Sequence, residues 1–293
     1  MVSLDYRALA VLDAVASHGS FEKAAVALGI SEPAVAQRIK ALEDASGRLL
    51  IIRGQPAVPT GLGQRLITHH RHVKLMESSL DIDLGNAVSM PGLAIAIDDD
   101  SLATWFPGVL APLLAPPRCQ LEVRLADSDT ALQMLRDGTV FGCVASDTAP
   151  EATAASVTPL GSLHYVCVAT PVFAGHWFGD GFSAAAAQLA PAVVGQHSLL
   201  ARLLAEQLAM QAPFPHHSLP AEAARRACIQ QGLAYGLMPQ RLAAPMLATD
   251  RLVDLLPGRT LAVPLYWHAW SLDTPLTQLL SEQVVRSARA WLS

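Results

Sequence analysis

Apolar positions in the first 80 residues recur at helical spacing. Leu4, Ala8, Leu12 and Val15 mark one amphipathic helix, with Asp5 and Arg7 on its other side. His18-Gly19-Ser20 ends it, Ser20 caps the next, and Phe21, Ala24, Ala25 and Leu28 form its apolar stripe. Gly29 falls where a left-handed residue stops a helix. Ser31 caps a third helix, and Pro33 sits in its first turn, where a missing N–H costs little. Two helices joined by a short glycine-containing turn predict a helix-turn-helix.

Within the third helix Val35, Ile39 and Leu42 share a narrow inward arc. Pro33, Gln37 and Lys40 point the opposite way, flanked by Ala34 and Arg38 on one side and Ala36 on the other. Glutamine suits bidentate contact with adenine, and lysine and arginine suit guanine or phosphate. Small neighbours let such a helix sit deep in a major groove. The apolar run Leu49–Arg53 and the turn-rich Gly54–Pro59 predict a two-stranded wing that places Arg53 at a phosphate. With Ser31 assigned to the DNA backbone, the expected DNA-contacting set is Ser31, Pro33, Ala34, Gln37, Arg38, Lys40 and Arg53. Thr60 then caps a long helix. Its Leu62, Leu66, His69, Val73, Met76 and Leu80 follow a 4-3-4-3-4 spacing, which predicts a dimerising coiled-coil seam. His69, His70 and His72 do not share one face, so no metal site is expected there.

Beyond a predicted hinge at Gly85–Gly92 the pattern changes. Leu93–Ile97 reads as a strand, followed by a helix from Thr104 toward Leu114. Leu121–Leu125 alternates as a strand, Thr130–Asp137 reads as a helix, and Phe141–Ala145 and Tyr165–Ala169 as further strands. This alternation predicts an α/β domain behind an all-α-rich amino-terminal module.

Charge sharpens the division. The chain of 293 residues carries a formal net charge of −5, but residues 1–75 hold nine basic and six acidic side chains, and residues 76–293 eleven and nineteen. A basic module is joined to an acidic one. No apolar run approaches the roughly 18 residues of a membrane span, and no secretory signal is visible. The four cysteines form no Cys-x-x-Cys pair and read as reduced thiols of a cytoplasmic protein. A transport receptor is disfavoured by the basic module and the missing signal. An enzyme is disfavoured by the absence of Gly-x-Ser-x-Gly, His-Glu-x-x-His and phosphate-binding loops. A magnesium site on Asp98, Asp99 and Asp100 is disfavoured because three consecutive carboxylates rarely converge on one ion. No cofactor, metal or membrane partner is expected.

Phe21-Glu22-Lys23-Ala24-Ala25, Leu28-Gly29-Ile30-Ser31, the run Ala34–Glu43, Arg53 and Pro59-Thr60-x-x-Gly63 resemble the winged helix-turn-helix of LysR-type transcriptional regulators. Asp100–Trp105 and Leu265-Tyr266-Trp267-His268 resemble the ArgP/LysG branch, regulators of arginine and lysine export. The resemblance spans essentially the whole chain. It departs at Ala36, where the family often has serine, and at Leu50 or Ile51, where the wing usually has phenylalanine.

The resemblance implies residues 1–59 as the DNA-binding domain, 60–91 as linker helix and hinge, and 92–293 as a two-lobed effector domain built like periplasmic binding proteins. Lobe one would comprise 92–163 and 266–293, and lobe two 164–265. It implies promoter DNA as partner, a homodimer or homotetramer, RNA polymerase as a candidate partner, and a small effector between the lobes. The candidates there are Asp98, Asp99, Asp100 and Ser101, with Ser101 capping a helix and meeting a ligand carboxylate. Ser146, Thr148, Gln196, His197 and Ala234 complete the set. The branch implies lysine or arginine as effector. Its acidic residues in the first lobe-two loop are missing from Gly195–Leu200, and Pro220-Ala221 stands where it often has a hydroxyl before Glu222. A smaller or more neutral amino acid, or another metabolite, therefore stays open.

Overall fold

The computed structural model describes residues 4–83, 92–114, 119–148, 155–195 and 199–292, without the side chains of 78, 79 and 81–83. Asp5, Ser20 and Ser31, each in extended backbone, accept N–H groups of the turns that follow and so start α1 (Tyr6–His18), α2 (Phe21–Leu28) and α3 (Glu32–Ser46). All three helices end on left-handed glycines, Gly19, Gly29 and Gly47. Their inward faces, with Leu9, Leu12, Val15, Ala24, Val35 and Ile39 almost fully buried, close one small core. A wing of β1 (Ile51–Ile52) and β2 (Val58–Pro59) pairs antiparallel beside it. The Glu43 carboxylate accepts the Leu50 and Ile51 N–H groups at 2.8 and 3.3 Å and ties the wing to α3.

Thr60 donates its hydroxyl hydrogen to Leu49 O and accepts from Gly63 N, starting α4 (Gly61–Asp83) against the wing. A Cβ at Gly63 would stand 2.1 Å from the Leu50 carbonyl oxygen, so only glycine allows this approach. Arg71 pairs with Asp13 at 2.6 Å and straps α4 to α1. Of the predicted seam, Leu62 and Leu66 pack partly on the amino-terminal core, and Met76 and Leu80 are exposed. His69 bonds the Tyr6 hydroxyl at 3.0 Å, a contact within the chain that the heptad spacing did not foretell.

The second module contains β3 (Gly92–Ile97), α5 (Asp99–Thr104), α6 (Pro107–Leu114), β4 (Gln120–Leu125), α7 (Ser128–Arg136), β5 (Gly142–Ala145) and β6 (Ala155–Ala169). It continues through α8 (Pro171–Trp177), α9 (Ala184–Ala187), β7 (Ala192–Val194), α10 (Leu199–Leu208), β8 (His216–Ser218), α11 (Glu222–Gln230) and β9 (Tyr235–Pro239). It closes with α12 (Gln240–Leu247), β10 (Val253–Asp254), β11 (Leu261–Trp270) and α13 (Pro275–Trp291). The strands run in the order β4-β3-β5-β11-β6-β9-β7-β8, with β10 also on β6. β3 is parallel to β4 and β5, and β7 is parallel to β8 and β9.

The two lobes share the long antiparallel pair β6 and β11. Tyr266–Ala269 lies beside β5, and Tyr165–Val168 lies beside β9. Between these ends the pair shifts register at Leu265/Tyr266, opposite Gly161, whose φ is 118°. The helix expected from Thr104 toward Leu114 starts later, at Pro107, whose ring disfavours helical backbone at the residue before it, and the separate short α5 capped by Asp98 precedes it. The hinge residues 85–91, with Asn86, Ser89, Met90 and Pro91, lie outside the described residues.

The α4 helix also touches lobe one. The Gln64 amide donates to the Asp137 carbonyl, Gly138 (φ 63°) presses on Thr68, and the His72 ring meets Trp270 edge-on at 4.6 Å. Burial lowers the His72 pKa to about 4, so the ring stays neutral in this contact at physiological pH.

Glycine inside a helix normally weakens it, so Gly63→Ala on an open helix face would stabilise by about 1 kcal/mol. Here the added methyl meets the Leu50 carbonyl. The expected result is a loss of roughly 1–3 kcal/mol from overpacking, read as a lower Tm by circular dichroism.

Candidate DNA-reading face and effector cleft

The α3 helix presents what its periodicity predicts. Val35, Ile39 and Leu42 are buried, whereas Ser31, Pro33, Gln37, Arg38 and Lys40 are exposed and Ala34 is half-buried. Among the described residues no ion pair engages Arg38 or Lys40, so both cations face solvent. Ser31 already accepts the Ala34 N–H at 3.4 Å as helix cap. Exposed Arg53 lies over the Phe21 ring, 5.6 Å from its centroid, which holds the guanidinium at the base of the wing. Between α2, α3 and the wing runs an open groove of about 760 Å³ lined in part by Ser20, Lys23, Ala36, Arg53 and Pro56. Lys23 and the groove itself escaped the sequence reading, because they depend on how the wing folds back on α2.

The acidic run at the end of β3 lies against lobe two. The Asp98 carboxylate accepts the Ser101 N–H at 2.8 Å and caps α5. Ser101 is therefore not the cap but an inward residue of the helix. Its hydroxyl is fully buried and stands beside Asp98, helping to hold that charge, yet completes no hydrogen bond of normal geometry. The Asp99 carboxylate accepts the backbone N–H of Glu222 on α11. Asp100 is engaged on both oxygens, one by the Arg225 guanidinium and the other by the Tyr165 hydroxyl at 2.9 Å. Arg225 also donates to the Leu219 and Pro220 carbonyls at 3.0 and 2.6 Å and lies against Gly195 at the end of β7. Glu222 is only 3% exposed; Arg226 stands 3.6 Å from one of its oxygens, and the other has no partner.

Burial dominates the electrostatics here. Desolvation pushes Asp98 up to about 6. It also raises Asp100, against the opposing pull of Arg225, and Glu222, against Arg226. Tyr165 is held as the neutral phenol by burial and the neighbouring carboxylates.

Other sequence candidates fall elsewhere. Ser146 donates its backbone N–H to Ser128 Oγ at 2.9 Å, the two hydroxyls stand 3.0 Å apart, and Thr148 is exposed; neither Ser146 nor Thr148 bonds the carboxylates among the described residues. Ala234 is 2% exposed and packs in the lobe-two core with Val193, Ile229 and Met238, away from the acidic run. Gly236 lets β9 approach the Val193 carbonyl on β7, which is why the small residues cluster there. Gln196 and His197 lie outside the described residues. Glu222, Arg225 and Tyr165 were not singled out from sequence. A signal existed: the buried face of α11 reads Glu222, Arg225 and Ile229, two charges where an amphipathic helix turns apolar residues inward.

A wing beside a helix-turn-helix, a long linker helix and a two-lobed sheet with charged groups bonded across the lobes define a ligand-responsive DNA-binding regulator. The chain belongs to the LysR family of bacterial regulators. Residues 6–64 match the bacterial regulatory helix-turn-helix protein, lysR family, and residues 90–289 the LysR substrate binding domain. It is 38% identical to the HTH-type transcriptional regulator ArgP of Pseudomonas aeruginosa, over 98% of this chain and 97% of that one. Among solved structures it is similar to ArgP from Mycobacterium tuberculosis, with a TM-score of 0.88 and 34% identity over 99% of both chains. It is also similar to full-length LysG from Corynebacterium glutamicum with bound effector Arg, with a TM-score of 0.80 and 32% identity over 99% of both chains. These relatives are named as regulators, not enzymes. Among the described residues no helix is long and apolar enough to cross a membrane.

The Asp98 shift yields a signed prediction. A carboxyl raised in the folded state favours its protonated form, so its ionisation costs stability above about pH 6 and nothing below the unfolded value near 4. Asp98→Asn keeps a capping oxygen and removes the charge. Its stability is expected above wild type at pH 7.5, by on the order of 1 kcal/mol and read as a higher Tm, with the gain shrinking as pH falls through 6 toward 4. Thermal melts across that range check it.

Proposed function

We propose that this LysR-type regulator binds promoter DNA as a dimer or tetramer and answers to a basic amino acid held between its lobes. The observation that carries the effector reading is a buried carboxylate oxygen. Among the described residues Asp100 pairs with Arg225 and one oxygen of Glu222 with Arg226, whereas the other Glu222 oxygen is buried and unpartnered. A desolvated carboxylate without a donor is costly, and an ammonium or guanidinium would satisfy it. Ser101, from the facing lobe, offers a buried hydroxyl to the ligand's carboxylate. The LysG neighbour with bound arginine supports the same chemistry. Control of an amino-acid exporter is the matching role for the target promoter.

A neutral amino acid is the second reading. It is favoured by Arg225, which already neutralises Asp100, and by the uncharged loop Gly195–Leu200. Calorimetric titration of the full-length protein with L-arginine, L-lysine and L-leucine separates the two. Basic amino acids are expected to bind, and Glu222→Gln to weaken them about tenfold, the loss of one charge-assisted bond. Binding of L-leucine alone contradicts the basic-amino-acid reading.

On the DNA side, Gln37, Arg38 and Lys40 read the major groove, with Pro33 and Ala34 at its edge and Ser31 and Arg53 on the DNA backbone. Gln37→Ala is expected to lose roughly 1–3 kcal/mol of discrimination at one base position. Arg53→Ala weakens all sequences alike and lowers the salt slope. Gel shifts on the upstream DNA of its own gene, at several salt concentrations, measure both. The exposed Met76 and Leu80 continue the half-buried Leu62, Leu66 and Val73 along α4 and supply the apolar stripe for the second chain, with His69 beside it.

A further inference from the structure

A helix needs acceptors for its first N–H groups, and α11 has no side-chain acceptor of its own. Its cap position is Ala221, which makes no side-chain cap bond, and Pro220 precedes it. The acceptor comes from the other lobe, where Asp99 takes the Glu222 N–H. One turn further along α11, Arg225 reaches the adjacent carboxylate, Asp100. Asp100 also receives the Tyr165 hydroxyl from the long strand β6, so both its oxygens are occupied.

We propose that Asp99 caps α11 from across the cleft and, with the Asp100–Arg225 pair, forms an inter-lobe latch that sets effector affinity without touching the effector. The acidic run thereby divides by task. Asp99 holds the Glu222 N–H on one oxygen, and both oxygens of Asp100 are engaged, by Arg225 and by Tyr165. Beside the latch each lobe holds a buried oxygen that completes no hydrogen bond of normal geometry, Ser101 Oγ on lobe one and Glu222 Oε2 on lobe two. Ser101 adjoins Asp100 in sequence, and Glu222 is the residue whose N–H Asp99 holds, so the latch ties their two segments together. Asp99 and Arg225 are positioning residues: Arg225 is held by the Leu219 and Pro220 carbonyls on its own lobe and aimed at the other. Asp99 replaces the hydroxyl cap that Ala221 cannot supply.

The first test needs no ligand. Hydrogen–deuterium exchange of the full-length protein is followed in the peptide covering residues 219–228. Asp99→Ala is expected to speed exchange there about fivefold, the loss of one helix cap. Arg225→Met speeds it too, and Arg225→Lys and Asp99→Asn fall in between. Unchanged exchange at 92–97 and 9–15 shows that the variants are folded. Wild-type exchange at 219–228 in Asp99→Ala overturns the latch.

The link to affinity rests on the effector reading above and is tested with L-arginine. Asp99→Ala and Arg225→Met are each expected to bind it about tenfold more weakly, and the double variant scarcely more weakly than either, because coupled sites are not additive. Unchanged or tighter binding by a variant whose α11 has loosened overturns the link. A wild type that binds no L-arginine contradicts the effector reading, and exchange alone then decides the latch.

Discussion

Three adjacent carboxylates at the end of a buried strand need partners, because desolvating a charge costs several kcal/mol unless donors replace the lost water. Lobe one does not supply enough of them. Asp98 turns back to cap its own helix, but Asp99 and Asp100 are met by a backbone N–H and a guanidinium of lobe two, and by a phenol on the strand that the lobes share. The relation of the lobes is tied to this exchange. Breaking a buried pair by removing one partner typically costs 3–5 kcal/mol, more than most single contacts in a domain. Everything in the cleft is placed relative to it, including the Ser101 hydroxyl and the Glu222 oxygen that remain without partners.

The same economy of glycine and polar caps organises the DNA-binding end. The three helices begin on side-chain oxygens and end on left-handed glycines, so their lengths and angles are set locally. The wing is fixed less locally. Glu43 holds its first strand, Thr60 its exit, and Gly63 admits the Leu50 carbonyl against the linker helix. The linker helix is in turn strapped to α1 by Arg71 and pressed on lobe one at Thr68 and His72. It thereby touches both the module that meets DNA and the module that holds the cleft.

Much of this was legible in the sequence, and unevenly. The helix-turn-helix and its outward Gln37, Arg38 and Lys40 follow from period and capping, which are local properties. The acidic run at the end of β3 was also visible, but its division of labour was not. Ser101 looked like the cap because serine favours that position, whereas Asp98, three residues earlier, wins it. Glu222 and Arg225 were passed over because a charged residue on a helix is read as exposed until its face is known. Ala234 was expected near ligand because glycines flank it, yet those glycines serve a turn and a close strand approach. Strand β6 was foreseen only over its last residues, Tyr165–Ala169, whereas it runs from Ala155 through Pro159 and Gly161. Its pairing with β11 makes them strand, and that pairing spans some hundred residues of sequence.

The central claim is that the acidic cleft is part latch and part receptor. A crystal structure of the full-length protein grown with L-arginine tests it most directly. The account predicts the ligand between Ser101 and Glu222, a cationic group within hydrogen-bond distance of the Glu222 carboxylate, and the Asp100–Arg225 pair intact. A ligand bonded to Asp100 in place of Arg225, or seated away from Glu222, would contradict it.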